Sequence, residues 1–205
     1  MKRMAILGAS GHGKVVADTA EVCGWESITF FDDAWPVRTR NGAWPIEGST
    51  AELLGQLSDF DAVLVAIGDN RIRLEKLAKL ASAGARFTCL VHPAATVSRH
   101  AILAEGTVVF AGAVVNADAR VGMGCILNTG CSVDHDCILL AGVHISPGAR
   151  LAGGVRIGEA SWVGIGACVR QVVCVGENVM IGAGAVVVSD VADGLTVAGV
   201  PARRL

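Results

Sequence analysis

His135 stands between two carboxylates, Asp134 and Asp136, in the run Val133-Asp-His-Asp-Cys137. A carboxylate beside an imidazole selects its tautomer and raises its basicity, as a general base requires. A second histidine, His144, follows nine residues later. Cys131 and Cys137 flank the cluster, so a Cys–His nucleophile is the competing chemistry. A second constellation lies near the start. Gly8-Ala-Ser-Gly-His-Gly13 follows a short apolar run, which makes Ser10, Gly11 and His12 a turn whose backbone N–H groups can face an anion. Asp32-Asp33 closes a second apolar run, and Gly68-Asp69-Asn70 closes a third. Polar residues at the C-terminal ends of strands are where open α/β sheets take ligands.

These residues need two different scaffolds. Residues 1–88 alternate apolar runs with helical patterns, the mark of a parallel α/β sheet. Strands are expected at 3–8, 27–31, 61–67 and 87–90, and helices at 14–23, 49–58 and 71–82. The stretch 34–48 carries Trp35-Pro36, Asn41-Gly42 and Trp44-Pro45 and reads as loop. Val15, Val16 and Thr19 are apolar-face candidates of the first helix. Ile72, Leu74, Leu77, Ala78 and Leu80 are those of the third, with Gly84 as its C-cap. The glycine order Gly8-x-x-Gly11-x-Gly13 departs from the dinucleotide fingerprint, and no second mononucleotide half follows. That argues against a dehydrogenase. A phosphate site and a plain strand-to-helix turn both remain compatible with it.

From Val91 to Val187, every sixth residue is Val, Leu or Ile, without insertion. Four residues after each sits a small or β-branched residue, among them Cys125, Cys131 and Cys137. Neither the helical nor the strand period explains a strict six, whereas a hexapeptide repeat does. Each hexapeptide supplies one short strand and one corner, and three make a coil of eighteen residues. Coils stack at the ordinary strand spacing of about 4.8 Å. Each coil needs its neighbours to be buried. In this register the cysteines point inward as small apolar fillers, which disfavours the Cys–His nucleophile. His135 and His144 fall on different faces of one coil, so adjacent copies of a trimer would bring them together. His92 and His100 read as structural or surface residues. Residues 193–205 break the register and would cap the last coil, whose edge strands are otherwise open.

Composition excludes several classes. Net charge is −2, with no basic run, so a nucleic-acid partner is not expected. No apolar run approaches the roughly 18 residues of a membrane span. Seven cysteines without metal-ligand spacing suggest reduced thiols in a cytoplasmic protein with no metal.

Four segments, GASGHGKVVAD, AIGDNRIR, LNTGCSVDHDCILLAGVHISPGA and VAGVPAR, together with the hexapeptide coils, carry a resemblance over essentially the whole chain. It resembles the bacterial sugar acetyltransferases of the left-handed β-helix superfamily, PglD- and NeuD-like. It is most similar to the nucleotide-sugar N-acetyltransferases of protein glycosylation. The resemblance implies a small Rossmann-like domain (1–88), a left-handed β-helix acetyltransferase domain (89–192) and a C-terminal cap (193–205). It implies a homotrimer with active sites between subunits. Acetyl-CoA would be the donor and a UDP-linked 4-amino-4,6-dideoxy-N-acetylhexosamine the acceptor, giving a bacillosamine-type product.

Carried onto this sequence, the resemblance places the catalytic base at His135, with Asp136 and Asn128 beside it. It places acetyl-CoA contacts at His144, Ile165 and Ala183. It places the nucleotide-sugar pocket at Ser10, Gly11, His12, Asp32, Asp33 and Gly68. Three alternatives stand beside it. One is a GDP-perosamine-type N-acetyltransferase. Another is an O-acetyltransferase acting on sialic acid or another sugar. The last is a nucleotide-binding scaffold without catalysis.

Overall fold

A computed structural model describes residues 2–205. The chain divides into two compact units, one ending at His92 and one spanning Pro93–Leu205.

The first unit is a three-stranded parallel sheet in the order β2-β1-β5, with β1 at Arg3–Leu7, β2 at Ser27–Phe31 and β5 at Ala62–Val65. Met4, Ile6, Phe30, Phe31 and Leu64 are all but fully buried, so the strands are apolar on both faces. That is expected of a parallel sheet covered by helices. Helix α1 spans Gly11–Val22 and α3 spans Asn70–Ser82; the short α2, Thr50–Gly55, carries a capping box from Ser49 and Glu52.

Helix α1 starts three residues earlier than its expected Lys14. The Gly-rich stretch is the first helical turn, with Ser10 as N-cap. Gly13 allows this: a Cβ there would collide with the Gly8 carbonyl oxygen. Residues 34–48 are not all loop, because β3 (Arg40–Asn41) and β4 (Trp44–Pro45) pair antiparallel across Gly42-Ala43. Of the expected strand at 87–90, Phe87 makes an isolated bridge to Val63 and Leu90 opens a two-residue strand, Leu90–Val91. Gly84 sits one residue beyond the C-cap, Ala83, at φ +84°.

Helix α3 buries Leu77 and Leu80 as expected, but Ile72 is exposed and Arg73 is only 1% exposed. The Arg73 guanidinium donates to the carbonyls of Ile67 (2.8 Å) and Gly68 (3.1 Å) and to Asn70 Oδ1 (2.7 Å). It therefore ties α3 to the loop leaving β5. Burying a cation is tolerable only with such a full set of acceptors.

The second unit is a left-handed parallel β-helix of about six turns. Two-residue strands recur every six residues and form three faces. The first face runs from Thr96–Val97 to Val186–Val187, the second from Ile102–Leu103 to Cys174–Val175, and the third includes Val108–Val109 to Met180–Ile181. Each strand pairs with the one eighteen residues on, as Val114 with Ser132 and Ile126 with His144. The sixfold aliphatic series points inward: Leu127, Val133, Ile145 and Ile181 are 0% exposed. Only the first coil, at Val97 and Leu103, is half-buried.

The small positions line the corners. Four of them use a polar hydrogen: Thr107 and Ser161 donate to Gly122 O and Gly176 O, and the Cys125 and Cys137 thiols to Leu140 O and Ala152 O. After the last full coil, Thr196–Ala198 joins the third face and Arg203–Arg204 folds back on it antiparallel.

Replacing Arg73 with alanine would leave two loop carbonyls and Asn70 without their donor. Chemical denaturation should show a loss of about 1–3 kcal/mol.

Candidate active site

His135 lies at the corner between Ser132–Val133 of the first face and Ile138–Leu139 of the second. The corner residue after it, Asp136, has left-handed backbone, φ +59°, a conformation that Asp tolerates better than most non-glycine residues. From there its Oδ2 reaches His135 Nδ1 at 2.7 Å. On the other side Asp134 Oδ1 accepts from the His135 backbone N–H and from Asn116 Nδ2, both at 2.8 Å. The Asp136 bond, followed by the Asp134 charge, raises the His135 pKa above its ordinary value. With Nδ1 committed to Asp136, Nε2 is the nitrogen available for proton transfer.

Gly153 occupies the same corner one coil on. A Cβ built there would lie 2.5 Å from His135 Cε1 and 2.6 Å from Nε2. The imidazole thus rests on a surface that only glycine leaves open.

Asn128 and His144 form a separate pair. Asn128 closes a strand of the third face, and His144 stands on the next strand of that face. Asn128 Oδ1 accepts from Thr129 N at 2.8 Å, which turns Nδ2 towards His144 Nε2 at 3.2 Å. A donor on Nε2 selects the tautomer protonated at Nδ1. The ring is 6% exposed and stacks on Trp162 of the following coil, centroids 4.5 Å apart. Trp162 is held in turn by its Nε1–H bond to Ser146 Oγ at 2.6 Å. Ile165 follows at the next corner, and Gly184 N donates to its carbonyl, so Ala183 stacks one coil beyond. Ile165 is 62% exposed and Ala183 is also exposed. Asn128, His144, Ile165 and Ala183 therefore run along one edge of the prism, and His135 with Asp136 occupies another.

The cysteines stay out of this chemistry. Cys131 and Cys137 are buried, and burial pushes the Cys131 thiol up to about 12. A thiol held protonated and inward is no nucleophile.

In the first unit, a cleft of about 280 Å³ opens over the C-terminal ends of β1, β2 and β5; Ser10, Asp32, Asp33, Gly68, Ile72 and Lys76 are among its lining. Both aspartates are already engaged. Asp32 accepts from Ala9 N (2.6 Å) and Ala34 N (2.9 Å). Asp33 accepts from Thr50 N and from Lys76 Nζ, each at 2.8 Å. Burial pushes the Asp33 carboxyl upward, but the bonds from Lys76 and Thr50 outweigh it and hold it at about 2. Gly11 and His12 do not line this cleft. Burial, followed by the Arg73 charge, lowers His12 to about 4, so its ring is neutral near pH 7.

Gly153, Asn116, Trp162 and Lys76 are partners that the motifs alone did not single out. Coil arithmetic would have found the first three, since each stands eighteen residues from His135, Asp134 or His144. Lys76 has no such signal; only the fold carries it from α3 to the cleft.

A parallel α/β unit ahead of a β-helix that carries a carboxylate-paired histidine defines an acyltransferase of the left-handed β-helix class. Residues 3–80 match the model of the PglD N-terminal domain. The acetyltransferase domain of PglB from Neisseria gonorrhoeae, solved with acetyl coenzyme A, is 48% identical, with 100% of this chain and 99% of that one covered and a TM-score of 0.95. A mutant of perosamine N-acetyltransferase from Caulobacter crescentus, solved with CoA and GDP-perosamine, is 38% identical with the same TM-score, covering 100% of this chain and 97% of that one. The UDP-N-acetylbacillosamine N-acetyltransferase of Bacillus subtilis is 37% identical over 115 residues, 54% of this chain and 52% of that protein, so the match spans about half the length of that relative. The chain belongs to the PglD family of hexapeptide-repeat acetyltransferases.

Gly153→Ala should push the imidazole off its seat and break the Asp136 bond. An NMR titration of His135 is expected to show its pKa fall towards the ordinary histidine value.

Proposed function

We propose that this protein transfers the acetyl group of acetyl-CoA to the 4-amino group of a UDP-linked 4-amino-4,6-dideoxy-N-acetylhexosamine. The observation that carries the reading is the His135 Nδ1–Asp136 bond at 2.7 Å, which leaves Nε2 to act as base at an exposed corner. The names of the Bacillus and Neisseria relatives support the choice of acceptor and donor. Residues 1–88 hold the nucleotide sugar, 89–192 carry the transfer and 193–205 close the last coil.

The chemistry follows from the amine. A protonated amino group cannot attack a thioester, whereas the free amine can. As it attacks, the nitrogen passes its proton to His135 Nε2, and Asp136 steadies the imidazolium that forms. The tetrahedral oxyanion takes a hydrogen bond from a backbone N–H. Collapse expels the CoA thiolate, which takes the proton held on the His135 imidazolium and leaves as the thiol, restoring the neutral base. An amine is nucleophilic enough to need no acyl-enzyme, in keeping with the inward, protonated cysteines.

Acetyl-CoA runs along the edge marked by His144, Ile165 and Ala183, with Asn128 fixing the His144 tautomer. His135 lies on a different edge, which supports a homotrimer whose active sites form where the edge of one subunit meets that of the next. Ser10, Gly11, Asp32, Asp33 and Gly68 form the nucleotide end, with His12 as a neutral packing partner.

A second reading keeps the mechanism and changes the nucleotide. The perosamine N-acetyltransferase, solved with GDP-perosamine, matches this fold with the same TM-score as the PglB domain. A thiol-release assay separates the two: acetyl-CoA with the UDP amine, beside a GDP-linked 4-amino sugar and a sialic acid. Release with the UDP amine alone is the expected result. His135→Ala should lower kcat by about 10²–10⁴ while acetyl-CoA still binds; near-normal turnover would remove His135 from the mechanism.

The pH dependence has a definite sign. The base works in its neutral form, and Asp136 with Asp134 favours the charged one. Activity should therefore rise with pH through a value above that of an ordinary histidine. Asp136→Asn is expected to move this limb to lower pH and to lower the plateau.

A further inference from the structure

A second cavity, of about 410 Å³, opens beside the nucleotide cleft in the first unit, and Ser10 lines both. Ser10, Gly11, Lys14, Arg38, Arg40 and Asn41 are among its lining residues, and no carboxylate is. Three cations thus face one space, and none of them makes an ion pair among the described residues. By contrast, the cation of the neighbouring cleft, Lys76, is neutralised by Asp33 at 2.8 Å.

The ridge between the two cavities is held from both sides. Asp32 accepts from Ala9 N, Arg38 Nη1 donates to Ala9 O at 2.7 Å, and Asn41 Nδ2 donates to Ser10 O at 3.1 Å. The β3–β4 hairpin carries Arg40, Asn41 and Gly42 against the start of α1. Gly42 makes the turn of this hairpin at φ +66° and lies beside the Lys14 stem, whose Cε would be 3.8 Å from a Cβ there. Unpaired like charges around a cavity repel one another and are relieved by an anion. Arginine and lysine donors suit phosphate oxygens in particular.

We infer that Lys14, Arg38 and Arg40 form an anion site that takes the diphosphate of the nucleotide sugar, across the Ser10 ridge from its nucleoside. This rests on the nucleotide-sugar reading above and adds the phosphate-binding residues to it. The site reads charge and not base, so it serves a uridine or a guanosine diphosphate alike. His12, neutral near pH 7, brings no charge of its own to the turn.

The test uses the full chain and a Lys14→Met/Arg40→Gln double variant, with Arg38 kept because it holds the Ala9 carbonyl. Calorimetry with UDP, uridine, inorganic pyrophosphate and acetyl-CoA is the measurement. The expected result is a Kd for UDP raised about tenfold or more. Pyrophosphate binding should be lost, and uridine and acetyl-CoA should bind as before. Unchanged affinities for UDP and pyrophosphate would overturn the site, as would an equal loss for uridine. Wild-type protein that binds pyrophosphate through this cluster but not UDP would keep the anion site and remove the nucleotide reading. Wild-type protein that binds UDP with no loss in the variant would do the reverse, and binding of neither would remove both.

Discussion

The stacking of one coil on the next is the constraint from which the second unit follows. An aliphatic side chain every six residues fills the prism, and every strand lies beneath the residue eighteen positions on. That register admits no slip, because a shift of even one residue would turn the core outward. It also requires one left-handed residue at each corner, which glycine usually supplies. Asp136 takes such a position without being glycine, as Asp118, Ala160, Val172 and Asn178 do at other corners. The corner thereby gains a carboxylate at the cost of some backbone strain, of order 1–3 kcal/mol.

The same stacking turns neighbours eighteen residues apart into working pairs. Asn116 supports Asp134, Gly153 seats His135, and Trp162 stacks on His144. None of these partners needs a loop to reach its target. A rigid wall holds the His135 imidazole in place better than a mobile segment would, and preorganised geometry is what lowers the cost of reaching a transition state. The wall also explains what is absent from the chemistry. The corner position that holds Cys131 and Cys137 faces the interior, so the most nucleophilic atoms near His135 are the ones the fold locks away.

The first unit solves a different problem. Its sheet ends deliver Gly8, Asp32 and Ala66 to one rim. Its charged residues then divide into two groups. Asp32, Asp33, Lys76 and Arg73 are spent on fixing the loops and helix ends around the cleft. Lys14, Arg38 and Arg40 are left without counter-ions around the adjoining cavity. A carboxylate that already accepts two internal bonds is first a part of the frame, so the acidic pair shapes the cleft as much as it lines it.

The sequence by itself determined the β-helix, its coil length and the inward cysteines, because a strict period of six has one packing solution. It also determined the order of the main α/β elements and set Asp134 and Asp136 beside His135, but that Asp136 reaches Nδ1 was decided by its left-handed corner. It could not determine where α1 begins. A run of glycines is read as a turn until Gly13 is seen packed against Gly8. Nor could it show Arg73 as a core residue, because burial of a guanidinium depends on three acceptors that converge only in three dimensions. Lys76 reaching Asp33, and Arg38 reaching Ala9, were likewise decided by tertiary structure. Long side chains find partners through space, and the spacing of letters along a chain does not encode where space will bring them.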